Sequence, residues 1–393
     1  MLKYEQVLED LATHFTEMVD IRRYLHQYPE VSYKEIKTAQ YIANYYKDLP
    51  HEVRTEVGGR GIVATLKGDK LGPTIALRAD FDALAIEEQT GLPFASKIPG
   101  VMHACGHDAH TATLLVIARV LAKYQAQIAG TIVFIHQFAE EISPGGAIAM
   151  IEDGCLDGVD AIFGTHIWAT EELGHVKTKA GPIMAAADGI EITIQGRGGH
   201  GSEPHLTKDA VLTAAQFITN AQQIVARRVN PLHPAVVSIG NIVAENPFNV
   251  IADCVVLGGT VRTFDEDTRQ QIKKEIEKIL RGVCAMTDAS YHYTYIEGYP
   301  ALVNHEHEAT HVLQVAALID EVTDVSVCEP YMSGEDFAYY TQHIPGAYFF
   351  TGAKPVRDTT YPHHHPKFDI DERAMLIAAK TLCLAALTYQ PAN

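Results

Sequence analysis

Thr131-Ile132-Val133-Phe134-Ile135-His136-Gln137-Phe138-Ala139-Glu140-Glu141 is the stretch on which the reading of this chain turns. Its opening run is apolar or β-branched without polar alternation, which predicts a strand buried on both faces, as in a parallel sheet. The polar residues that follow stand at the C-terminal end of that strand, the edge at which open α/β sheets bind ligands. Adjacent strand residues face opposite ways, so Glu140 and Glu141 can serve one site only if the chain turns there. Pro144-Gly145-Gly146 just beyond predicts such a turn. Paired carboxylates suit a division of labour, one holding a cation and the other moving protons; a solvated surface pair is the alternative reading.

Working outward, Gly61–Leu66, Thr74–Leu77 and Ala161–Gly164 also read as short strands, alternating with helical patterns at 112–124 and 147–151. The first 48 residues read as helix, broken around Pro29, and the chain ends in a helix over 373–389. This alternation predicts an α/β layer with a central, mostly parallel sheet. From about Gly189 the texture changes. Strand, long helix (208–227), two strands (235–243, 254–261), helix (266–280) and strand (291–296) follow, the β-α-β-β-α-β order of a ferredoxin-like sandwich. The predicted division is therefore 1–185 with 297–393 as one domain, and 186–296 inserted within it.

Composition narrows the partners. Lys and Arg number 31 against 49 Asp and Glu, a net charge of −18, so neither nucleic acid nor an anionic membrane surface is an expected partner. No run approaches a membrane span, and the leading residues MLKYEQVLEDLATHF mix charge with apolar residues at helical spacing. Six scattered cysteines without a CxxC predict neither a disulfide scaffold nor a zinc finger. The expectation is a cytoplasmic globular protein. Its unusual number is 20 histidines.

Where they cluster matters. Met102-His103-Ala104-Cys105-Gly106-His107-Asp108-Ala109-His110 joins a thiol, imidazoles and a carboxylate between a strand and a helix, a donor set for zinc, cobalt or manganese. A polar loop whose histidines cap the helix is the alternative, and Cys-x-His with flanking His and Asp favours the metal reading over it. His166 again follows a buried strand, and His363-His364-His365-Pro366 offers a late histidine from a distant segment. Arg78, Asp80 and Asp82 share one side of a strand end, where a carboxylate could hold a ligand imidazole. Gly198-Gly199-His200-Gly201 puts a histidine on a sharply turned or flexible loop.

Taken in order, Arg-Ala-Asp-Phe-Asp-Ala-Leu (78–84), Met-His-Ala-Cys-Gly-His-Asp-Ala-His (102–110), Gln-x-Ala-Glu-Glu (137–141), Gly-x-His-x-Trp (164–168), Gly-Gly-His-Gly-Ser (198–202), Gly-Thr-Val-Arg (259–262), Ser-Gly-Glu-Asp-Phe (333–337) and His-His-Pro-Lys-Phe (364–368) resemble the M20 metallopeptidase and amidohydrolase family. The branch they resemble is M20D, with its hippurate hydrolase-like aminoacylases, auxin-conjugate hydrolases and N-acetyldiaminopimelate deacetylases. The resemblance runs from about residue 20 to 375. It implies a zinc-exopeptidase-like catalytic domain holding two divalent ions, zinc ahead of manganese or cobalt, and an inserted lid that dimerises. It implies Cys105, His107, Glu141, His166 and His364 as ligands, with His364 chosen from its run because the family ligand stands two residues before the Pro. Glu140 matches the general base, Asp80 the carboxylate that orients a ligand, and His200 the lid histidine that polarises the scissile carbonyl. Arg78 departs from the wider family, most branches of which have a ligand histidine there.

The expected activity is metal-dependent hydrolysis of the amide bond of N-acyl amino acids or short peptides, with Glu140 moving the proton. Arg262, helped by Asn249, is the candidate for binding a substrate carboxylate. A homodimer or higher homo-oligomer is expected, with His200 and Asn249 serving their own or the partner's site. A broader peptidase on the same site is one alternative. A catalytically silent metal-binding protein is the other, which the presence of Glu140 disfavours. A serine hydrolase is disfavoured by the lack of Gly-x-Ser-x-Gly.

Overall fold

The computed structural model describes residues 2–356 and 359–392. Two compact units emerge, one formed by Met1–Ile183, Val303–Glu329 and Asp336–Asn393, the other by Met184–Leu302 and Pro330–Glu335. No helix among the described residues is long and apolar enough to cross a membrane.

The first unit is built on an eight-stranded sheet in the order Glu52–Val57, Gly61–Lys67, Ala129–Gln137, Lys70–Asp80, Ala161–Trp168, Gly346–Gly352, His175–Thr178, Asp324–Val327. The four central strands run parallel to one another. Their apolar runs are buried on both sides, Ile75, Ala76, Leu77, Phe134 and Ile135 being inaccessible to solvent, as a sheet between helical layers requires. The helix His107–Ala122 is buried along nearly all its length, and Arg373–Thr388 likewise. Each fully buried Leu or Ile contributes about 1.5–3 kcal/mol. In the parallel register Asp80 lies beside Gln137 and Phe350 beside His166, so the polar strand ends meet at one edge.

The second unit carries a four-stranded antiparallel sheet, Ala235–Val243, Cys254–Thr263, Ala186–Gln195, Ser290–Tyr299 in spatial order. Along Ala186–Gln195 buried and less buried residues alternate. Ile190, Ile192 and Ile194 pack with Phe217, Ile272 and Ile276 from the two helices Ala210–Ala221 and Glu266–Thr287. Asp209 and Asp265 cap those helices, accepting from Leu212 and Thr268 N–H. The expected long helix over 208–227 is shorter, ending at Ala221 before a wider π turn over Ile224–Arg228. Residues 297–302 and 330–335, read from sequence with the first domain, pack with this second unit. Ser290–Tyr299 continues its sheet beyond residue 296, and Ala185 N–H is taken by the carbonyls of Tyr331 and Ser333.

Candidate metal centre

Three backbone devices gather the site. Gly106 has φ 96°, a left-handed conformation that lets Cys105 and His107 turn into the same space. The helix then begins at His107, earlier than its apolar pattern suggests, so His107 and Asp108 occupy its first turn. The strand Ala129–Gln137 ends short of the acidic pair, and the turn falls at Ala139, with φ 51°, rather than only at the Pro-Gly-Gly beyond. His364 also has positive φ, 65°, and its N–H donates to Ala104 O at 2.8 Å, docking the late histidine loop on the cysteine loop.

The five expected ligands and Glu140 converge. Cys105 Sγ lies 3.4 Å from His166 Nε2, and His364 Nε2 lies 3.3 Å from Glu141 Oε2. His107 Nε2 faces Asp80 Oδ2 at 3.7 Å, Glu141 Oε1 at 3.8 Å and Glu140 Oε2 at 3.9 Å. Donor atoms within 4.8 Å of one another form overlapping groups: Cys105, His107, His166; Cys105, Glu141, His364; and His107, Glu140, Glu141. His107 Nε2 and Glu141 Oε1 are buried and make no hydrogen bond. Buried polar atoms are normally paired, so an imidazole nitrogen and a carboxylate oxygen left orphaned beside a thiol fit a cation between them.

The hydrogen bonds behind these atoms fix which nitrogen faces inward. His107 Nδ1 bonds Asp82 O and Oδ1, both at 3.0 Å, and His166 Nδ1 bonds Ile167 O at 3.0 Å. Each leaves Nε2 for the centre, the usual tautomer of a ligand imidazole. His110 is different. Its Nδ1 bonds Asp80 Oδ1 and its Nε2 accepts from Ile167 N–H, so both nitrogens are used.

Electrostatics also favour a cation. Burial alone would lower the His107 pKa, but Asp80, Asp82 and Glu141 outweigh it and raise it to about 10. Burial, with Glu141, Glu140 and Asp80 nearby, pushes the Cys105 thiol well above its ordinary range. His166 is held well below its usual value by burial and by neighbouring histidines. The pocket thus concentrates negative charge around neutral and positive imidazoles.

Asp80 orients its surroundings differently from the expectation. It bonds His110 and takes a 2.6 Å bond from Arg78 Nη1, while Asp82 is the carboxylate bonded to His107. Arg78 is buried. It also donates to Gln137 Oε1 at 2.9 Å and Asp336 Oδ1 at 2.8 Å, tying the strand ends together. On the helix side, Asp108 accepts from Arg22 Nε at 3.2 Å and contacts His26 Nδ1 at 2.8 Å.

His200 and Asn249 lie in the second unit and come together there. Val250 pairs with His200, and Gly201 N–H donates to Asn249 O at 2.8 Å. Ser202 N–H donates to His200 Nδ1 at 3.2 Å, which leaves the ring proton on Nε2. Arg262 is partly buried, and its Nη1 donates to Val261 O at 2.9 Å and to Thr260 Oγ1.

The profile of the peptidase family M20/M25/M40 matches residues 76–388. YhaA of Bacillus subtilis (strain 168) is 55% identical over 386 residues, covering 98% of each chain. The N-acetyl-L-cysteine deacetylase of the same organism is 42% identical, covering 100% of this chain and 92% of its own. Among solved structures, the Bacillus subtilis YXEP protein, described as a dinuclear metal binding peptidase from the M20 family, is 35% identical. It superposes with a TM-score of 0.82 over 96% of this chain and 98% of its own.

Proposed function

The chain belongs to peptidase family M20/M25/M40, and from that premise we propose that it hydrolyses the amide bond of N-acyl amino acids, with Glu140 as general base. The observation that carries the reading is the orphaned pair His107 Nε2 and Glu141 Oε1, buried within 4 Å of one another beside Glu140. Cys105, His107, Glu141, His166 and His364 would hold two divalent ions, zinc first because of the thiolate, with manganese or cobalt as the alternatives. Bound there, such ions would acidify a water towards pKa about 7 and polarise the carbonyl.

The chain's own residues do the rest. Glu140 takes the proton of the attacking water and returns it to the leaving amine. Asp82 keeps His107 in the ligating tautomer, while Asp80 and Arg78 hold the neighbouring strand ends. His200 carries its proton on Nε2, from which it can donate to the oxyanion. Arg262 and Asn249 bind the substrate carboxylate.

We also assign a homodimer, paired through the second unit. The edge strand Ala235–Val243 leaves Ile242 51% and Val243 39% exposed, an edge that a second copy can cover. All six cysteines are free, which suits the cytoplasm.

The test is a panel of N-acetyl, N-benzoyl and dipeptide substrates, assayed after chelation and after return of Zn²⁺, Mn²⁺ or Co²⁺. Turnover of N-acyl amino acids that chelation abolishes supports the reading; preference for dipeptides makes the protein a peptidase. Glu140→Ala should remove turnover and leave metal content unchanged, and turnover surviving it would end the assignment of the base.

A further inference from the structure

The loop between the helices Phe15–Gln27 and Lys37–Tyr45 reaches the base-bearing segment from far away in sequence. Ser32 Oγ donates to Asp82 Oδ2 at 2.7 Å, and the same Oδ2 accepts from Glu141 N–H at 3.0 Å. The Tyr33 hydroxyl donates to Ile142 O and accepts from Gly145 N–H, both at 3.1 Å. Glu35, fully buried, accepts the N–H of Ala139 at 2.8 Å across 104 residues of sequence. Four side-chain bonds from one short loop and Asp82 therefore grip the backbone on either side of Glu140.

Ala139 is the critical point. It is fully buried, and its φ of 51° is a conformation L-residues adopt only when the surroundings impose it. Its carbonyl accepts from Gly146 N–H at 3.2 Å, and its N–H has the Glu35 carboxylate. A Cβ on Gly146 would stand 2.0 Å from Phe138 O, so the turn is closed too tightly for another residue there. Take away the acceptor at Glu35 and a buried amide is orphaned, a state the chain escapes by relaxing the turn. Relaxing it moves the next residue, Glu140.

We propose that Glu35 is a positioning residue whose carboxylate holds Ala139 in the left-handed turn and thereby aims Glu140 at the substrate water. This rests on Glu140 being the base. Glu35 Oε1 bonds the backbone of Ala139 and its Oε2 makes no hydrogen bond, so its effect should fall on the proton-moving step and not on substrate or metal binding.

Glu35→Leu, Glu35→Gln and Glu35→Asp separate the possibilities. Measured are kcat and KM, bound metal, and hydrogen–deuterium exchange of the 138–145 segment in the holoenzyme. A displaced catalytic group costs on the order of 100-fold, so E35L should lose about 10- to 100-fold in kcat. Its KM should stay within about two-fold, its metal content match the parent, and the 138–145 amides exchange faster. E35Q offers an amide oxygen to Ala139 N–H and should recover most of the loss. E35D withdraws the carboxylate by one methylene and should fall between the two; it also decides the matter if E35L does not fold. Parent-like kcat in E35L or E35D, or equal damage in E35L and E35Q, would overturn the proposal, as would loss of metal from E35L. Glu140→Ala run alongside distinguishes the failures. If it keeps turnover the base reading is wrong; if it is inactive while the Glu35 variants match the parent, only the positioning role is.

Discussion

His110 Nδ1 stands 2.6 Å from Asp80 Oδ1, and its other nitrogen accepts from Ile167 N–H. That pair of bonds sets His110 apart from His107 and His166, whose Nε2 atoms remain turned to the centre. Although His110 stands with Asp80 and His107 in a group of donor atoms within 4.8 Å of one another, both its nitrogens are engaged, and we expect it to support the strand edge without being a ligand. Metal analysis should find parent stoichiometry in His110→Gln and a marked loss in His107→Gln; equal loss in both would make His110 a ligand.

Asp82 joins three parts of the site: His107, the backbone of Glu141 and Ser32. Removing a carboxylate behind a ligand imidazole typically weakens metal binding about 10- to 100-fold. Asp82→Asn should show a loss of that size in a competitive chelator titration, with folding intact by circular dichroism. An unchanged affinity would mean the imidazole is oriented by the Asp82 carbonyl alone.

Arg78 is the buried countercharge to Asp80 and Asp336. Cutting out one member of such a pair strands the others, at a cost of about 3–5 kcal/mol. Arg78→Met is expected to lower stability by that order in urea unfolding of the metal-free protein. A change under about 1 kcal/mol would show the carboxylates to be neutralised elsewhere.

His51 and His136 lie buried side by side with Tyr46 and Phe134, and neither His51 nitrogen has a hydrogen-bond partner. Burial lowers their pKa values to about 4 and about 3. Below the unfolded value near 6.5 the unfolded chain binds protons that the folded chain refuses, so stability falls as pH drops from there. The fall continues until the folded pKa values are reached, at about 1.4 kcal/mol per pH unit for each group. His51→Phe should move the acid unfolding midpoint to lower pH while leaving the midpoint at pH 8 little changed or raised. A midpoint in acid that does not move would assign the acid sensitivity to other groups.

Much of this arrangement is legible in the sequence because buried strands advertise themselves. The apolar runs ending at Ile135 and Gly164, and the alternation at 190–195, carry the strand signal directly. The helix start is not legible. His107 to His110 are polar, and a buried polar first turn breaks the periodic pattern that defines the rest of the helix. The turn at Ala139 is hidden for a different reason: its cause is a carboxylate 104 residues upstream. Asp80 and Asp82 are indistinguishable by residue type and strand side; only the hydrogen bonds assign one to His110 and the other to His107.

The strand Gly346–Gly352 lies inside the large sheet, between Ala161–Trp168 and His175–Thr178, and the helix Arg373–Thr388 packs against the same sheet. During synthesis the ribosome delivers both after the whole Met184–Leu302 segment has emerged. The inserted sandwich, made almost wholly of consecutive residues, can close while the sheet that surrounds the metal centre still has a gap in its middle. Until Gly346–Gly352 arrives, the edge of Ala161–Trp168 that it pairs with stays open, and an open edge is what another chain can pair with.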